Sequence, residues 1–144
     1  MANNKRGPDR RRTGRTVGGA DTVSDRGAED REVLDHVNVS FVVGSAQKDG
    51  SVTETEDGRV FTSFDLVVRG SEGRTVVPVT YEGEVLVREG EKVAVIGAVE
   101  KRFYPSGGRL TSRTDVRAVR VTVARRASQV DKVREDAVRR VSGA

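Results

Sequence analysis

From Val37 to Val123 the chain carries a succession of strand patterns broken by short turns, and the succession reads as one small closed β-barrel. Val37, Val39, Phe41 and Val43 alternate with Asn38, Ser40 and Val42, the period-two spacing of a half-buried strand that Gly44 is expected to end or bulge. Ser51-Val52-Thr53-Glu54-Thr55 and the run from Arg59 to Arg69 flank Asp57-Gly58, a hairpin signal. In the second run Val60, Thr62, Phe64, Leu66 and Val68 share one face, and Arg59, Phe61, Ser63, Asp65, Val67 and Arg69 share the other. Thr75 to Tyr81 predicts a further strand, in which Pro78 removes one ladder donor and so belongs at an edge or a bulge. Tyr81 to Arg88 is expected to form a turn or short helix. Gly90 then precedes a strand from Glu91 to about Tyr104, Pro105-Ser106-Gly107-Gly108 makes a hairpin tip, and Arg109 to Val123 returns as the fifth strand.

A barrel of this size has little interior left for a deep catalytic pocket, so function is expected on its outer groove and loops. Hydrophobic residues make up only 35% of the chain, and they are concentrated in this middle segment. Cysteine is absent, which removes disulfides and thiolate metal sites and fits a reducing, cytoplasmic location. The basic N-terminus lacks the apolar core of a secretory signal, and no run approaches the roughly 20 apolar residues of a membrane span. The 26 basic residues are offset by 22 acidic ones, so a net charge of +4 favours a polyanionic partner only weakly and the placement of charge matters more.

Composition divides the chain into three parts. Residues 1–34, with the aperiodic basic run Lys5 to Arg15, cannot bury enough apolar surface to offset ordering and are expected to be a disordered arm able to touch phosphates. Ala28 to Asp35 is expected to add a short helical turn before the barrel domain of residues 35–125. In residues 126–144, Val130, Val133, Ala137 and Val141 recur at helical spacing opposite Asp131, Lys132, Arg134, Glu135, Arg139 and Arg140, predicting a short amphipathic helix resting loosely on the barrel.

The order and spacing of these pieces resemble the bacterial single-stranded-DNA-binding protein family over about Val37 to Val123. The resemblance is carried by Asn38 with the apolar strand and Gly44, the Asp57-Gly58 hairpin with Phe64 and Leu66, and Val79-Thr80-Tyr81 with Gly83. Arg88 to Gly97 and Lys101-Arg102-Phe103-Tyr104 complete it. It implies an all-β, five-stranded OB-fold that wraps single-stranded DNA on aromatic platforms and assembles as a homotetramer or dimer. The chain departs from the family pattern in having no Trp, in placing Thr75 where an aromatic is common, and in ending Arg139-Arg140-Val141-Ser142-Gly143-Ala144. Recruitment of repair enzymes by an acidic tail is therefore not expected.

Tyr104 and Tyr81 align with stacking positions of the family, and Phe61 faces away from Phe64, in the groove or at a subunit contact. Phe41, Phe64 and Phe103 are expected in the core. Arg102 and Arg109 are the first candidates for phosphate contacts, followed by Arg59, Arg69, Arg74, Lys101, Arg113 and Arg117. Catalysis is not indicated, and neither is a cofactor or a metal. His36 is the single histidine, Gly107-Gly108 is not followed by a helix as a phosphate-cradling loop would be, and Glu54-Thr55-Glu56-Asp57 sits on a hairpin where solvation accounts for it. The expected function is non-enzymatic binding of single-stranded DNA in replication, recombination or repair. An OB-fold scaffold with weak or no DNA binding and an RNA-binding module are the alternatives.

Overall fold

A computed structural model describes residues 36–143. The expected basic arm and the helical turn at Ala28 to Asp35 lie outside them. Six strands and one helix follow in order: β1 Ser40–Ala46, β2 Ser51–Glu54, β3 Val60–Gly70, β4 Gly73–Glu82, β5 Lys92–Ser106, β6 Arg109–Val123 and α1 Ala127–Ser142. Their order in the sheet is β1-β5-β6-β4-β3-β2, and a further β1–β3 pairing closes five of them into a barrel with β2 appended to β3. All pairings are antiparallel except β4 with β6. This is an all-β, five-stranded barrel of OB-fold layout with a C-terminal helix.

The alternation of β3 decides what fills the barrel. Thr62, Phe64 and Leu66 are buried, and they meet Val79, Val93, Val95, Val116 and Ala118 from the other strands. Gly44 does not end β1. It lies where the strand passes from β5 to β3, since Ser45 pairs with both Lys92 and Val67. A Cβ on Gly44 would sit 2.6 Å from the Val67 carbonyl oxygen, so the crossing requires glycine for its close approach. Pro78 occupies an edge, as its missing donor demands: β4 pairs with β6 only over Val79 to Tyr81.

Tyr81 to Arg88 forms no helix, contrary to expectation. Val85 packs against the core and Val87 is buried in it, an alternation that suits extended chain. The buried Thr62 hydroxyl donates to the Gly83 carbonyl at 2.7 Å and accepts from the Val85 amide at 3.2 Å, holding the segment across the barrel end. Backbone bonds from Gly50 N–H to the Val87 carbonyl and from Gly90 N–H to the Ala46 carbonyl tie the end of the segment to the chain around β1 and β2.

The run Val93-Ala94-Val95-Ile96 is continuous because both its faces are covered. Val93 and Val95 point into the barrel, while Ala94 and Ile96 form a second cluster with Val133 and Ala137 of α1, bordered by Val39, Phe41 and Val43. The helix is thus seated through Val133 and Ala137 rather than loosely, with Val130 half-buried and Val141 exposed. Phe41 belongs to this outer cluster, and Phe64 to the barrel core. Arg120 of β6 donates to Asp136 at 2.8 Å and fixes the helix from its flank. That bond, with Arg140, holds the Asp136 carboxyl below the ordinary carboxylate range, so its contribution is present at neutral pH and is lost as pH falls through the lowered value.

Candidate nucleic-acid interface

On the outer face of the barrel, register places Phe61 beside Glu82, Thr80 beside Arg117, Glu100 beside Asp115, Arg102 beside Arg113, and Tyr104 beside Thr111. Strand alternation puts all of these on one surface running from β3 to the β5–β6 hairpin. The surface is built because β5 and β6 outrun the barrel. Pairing of β5 with β1 stops at Gly97, and pairing of β6 with β4 starts at Val116, so beyond these points the backbone ladder of each strand runs only to the other, although the Asn38 side chain still clamps both backbone groups of Val99 at 2.9 Å. Gly107 and Gly108 make the two-residue turn at the tip, both at positive φ (58° and 78°), as a tight hairpin of right-handed twist requires.

Phe61 carries two guanidinium groups, Arg59 at 5.1 Å and Arg117 at 5.4 Å from its ring centroid. Glu82 ties both down. Arg59 Nε and Nη2 reach its two oxygens at 3.3 and 3.1 Å, and Arg117 Nη2 lies at 3.4 Å. Arg117 also meets Glu100 at 3.7 Å, and Glu100 in turn meets Arg102 at 3.8 Å. Arg102 Nη2 then closes on the buried Asp115 at 2.6 Å, where the Thr80 hydroxyl donates to the same oxygen at 3.0 Å. Arg113 lies 3.8 Å from Asp65. The centre of the face is therefore an alternating network of arginine and carboxylate rather than a bare cationic channel. The bidentate arginine contact lowers the Glu82 pKa and raises that of Arg59, so both stay ionised through neutral pH.

The sequence-predicted cations sort by this network. Arg59, Arg102, Arg113 and Arg117 are inside it. Arg69 and Arg74 stand directly opposite each other at the exposed β3–β4 tip, Arg109 is exposed at the β5–β6 tip, and Lys101 lies on the other side of the arm with its amine 5.6 Å over the Phe103 ring. Among the described residues these four have no acidic partner within ion-pair distance.

The aromatics separate as well. Tyr104 is 43% exposed on the outer face. Tyr81 pairs with Thr62 on the inward side, its ring against Gly83 and the barrel core, away from Phe61. Phe103 is not in the core: it is 61% exposed. Its alternation does point to the barrel side, but past Val99 neither strand of the hairpin pairs with a third, so no strand covers it. Lys101, Ser112 and Thr114 share that side, a polar company that was the available sign of exposure.

The carboxylates Glu82, Glu100 and Asp115 were not anticipated at the face, although Asp65 could be read there from its alternation with Phe61. Asp115 matters most, because one of its oxygens has no partner and the other depends on Arg102 and Thr80. Arg102→Ala is expected to destabilise the fold by about 1.5 kcal/mol by leaving a buried acceptor half-satisfied, readable as a shifted urea midpoint. Arg109→Ala, at the exposed tip, leaves that midpoint unchanged. Among the described residues no group of His, Cys, Asp or Glu is arranged to hold a metal ion, and no helix is long and apolar enough to cross a membrane. Neither a protein-family model nor a curated protein sequence matches the chain.

Proposed function

We propose that the protein binds single-stranded DNA on the outer face of its barrel, without sequence preference and without catalysis. The observation that carries this reading is the half-exposed Tyr104 ring on a protruding arm whose charges between Lys101 and Thr114 are all positive. An exposed aromatic stacks on any base, and flanking cations meet the phosphates, so binding of this kind selects unpaired strands over a rigid duplex. Phe61 with its two arginines extends the platform toward β3. Retention of single strands in this way serves replication, recombination or repair.

The arginine–carboxylate network sets the strength. A phosphate must displace Glu82 before it takes Arg59 or Arg117, which makes the centre of the face a weaker site than its two cationic tips. Glu82→Gln is expected to tighten binding of oligo-dT severalfold and to steepen the salt dependence by about 0.7 per arginine released. An unchanged slope would show that those arginines do not meet the strand. The reading is tested by titrating labelled oligo-dT, RNA of equal length and duplex DNA with the full chain and with a variant lacking residues 1–30. Preference for oligo-dT that survives the truncation supports the barrel. Binding that disappears with the truncation assigns it to residues 1–30 and not to the barrel, and equal affinity for RNA widens the substrate class to both nucleic acids.

A further inference from the structure

The β5–β6 arm has a second side that the reading above does not use. Phe103 and Leu110 are 61% and 73% exposed there, next to Pro105. In register, Phe103 faces Ser112 and Pro105 faces Leu110, while Tyr104 faces Thr111 on the opposite side. Aromatic and apolar groups therefore occupy both faces of a ribbon only two strands thick. Phe103, Tyr104, Arg102 and Arg113 also border one shared hollow.

An unsupported ribbon with apolar groups on both sides is costly to keep in water, and its charge says what covers it. Lys101, Arg102, Arg109 and Arg113 are the charged residues from Lys101 to Thr114, with no carboxylate among them. Arg102 and Arg113 are already paired with Asp115 and Asp65, so a protein surface would have to bring acidic groups to Lys101 and Arg109, whereas nucleic acid supplies phosphates beside flat apolar bases in a regular array. Six residues of extended strand carry the arm roughly 20 Å from Lys101 to its tip, enough to reach past the bases of one strand to those of its partner.

We propose that this arm is a two-sided wedge that engages the junction between single-stranded and duplex DNA. Tyr104 stacks on the unpaired strand held by the outer face. Phe103 and Leu110 cover the terminal base pair of the duplex, and Lys101 and Arg109 meet the phosphates on either side. The inference rests on the single-strand reading and narrows its substrate to strands that adjoin a duplex.

The test compares a forked duplex with oligo-dT equal in length to its free arm, using the full chain in fluorescence anisotropy. The wild type is expected to bind the fork at least about fivefold more tightly, the lower end of what one stacked base contributes. Phe103→Ser with Leu110→Ser removes that preference and leaves oligo-dT affinity unchanged, both side chains being too exposed to support the fold. Tyr104→Ala weakens binding to both. Equal wild-type affinity for fork and oligo-dT overturns the wedge alone. So does a fork preference that persists in the serine variant, or a serine variant that alters only the oligomeric state in light scattering, which would give the face to a second copy of the chain. Absence of binding to either DNA overturns the single-strand reading beneath it as well.

Discussion

Gly97→Ala is expected to lower the unfolding free energy by about 3 kcal/mol, at the upper end of what overpacking imposes. At this residue β5 meets a bulge in β6: Ile96 pairs with Arg120, Gly97 pairs with Ala118, and Val119 is left without a partner. The backbones come so close that a Cβ on Gly97 would lie 2.4 Å from the Arg117 carbonyl oxygen and 2.8 Å from the Ala118 Cα. Neither atom can withdraw freely, because Arg117 and Ala118 also pair with Thr80 and Tyr81 of β4. The strain therefore falls on the parallel seam that closes the barrel. The shift should appear in the urea midpoint with an unchanged slope. Gly70→Ala is the control: it sits in open space and is expected to stay within about 0.5 kcal/mol of wild type. Since Arg117 belongs to the network around Phe61, the Gly97 variant is also expected to loosen the binding face.

Tyr104→Ala is expected to weaken oligo-dT binding by about 1–3 kcal/mol, or roughly five- to 150-fold, while leaving stability unchanged. The ring is half-exposed and stands across from Thr111 on a part of the hairpin that pairs with no third strand, so its removal opens no cavity in the barrel. Tyr104→Phe keeps the π-face and is expected to keep the affinity. Tyr81→Ala behaves oppositely, with lower stability from the lost contact with the core and only indirect effects on DNA. A Tyr104→Ala variant that binds as tightly as wild type would remove the stacking platform from the account.

The barrel was legible in the sequence because each strand states its own environment. Thr62, Phe64 and Leu66 alternate where one face is buried, and Val93 to Ile96 runs unbroken where both are. The paired glycines at 107 and 108 announced the hairpin turn. Local pattern misled where tertiary context took over. Val85 and Val87, four to six residues after Tyr81, left room for a helix, yet the Thr62 hydroxyl and the barrel end hold them extended. Phe103 alternates with the barrel side, but whether a barrel lies opposite depends on where β1 and β4 stop pairing, which no window around Phe103 contains. The pairing of the cations was not legible. Arg102 and Asp115 are thirteen residues apart and become neighbours only through the β5–β6 register.

The most direct test of the account uses the chain's own fluorescence. It contains no Trp and two Tyr, and of these Tyr81 packs against the barrel core while Tyr104 stands on the outer face. Addition of oligo-dT to the full chain is predicted to quench tyrosine emission saturably, and Tyr104→Phe is predicted to bind the same DNA with that quenching lost. Binding without quenching, or quenching that persists unchanged in Tyr104→Phe, would contradict the claim that unpaired bases lie on this ring.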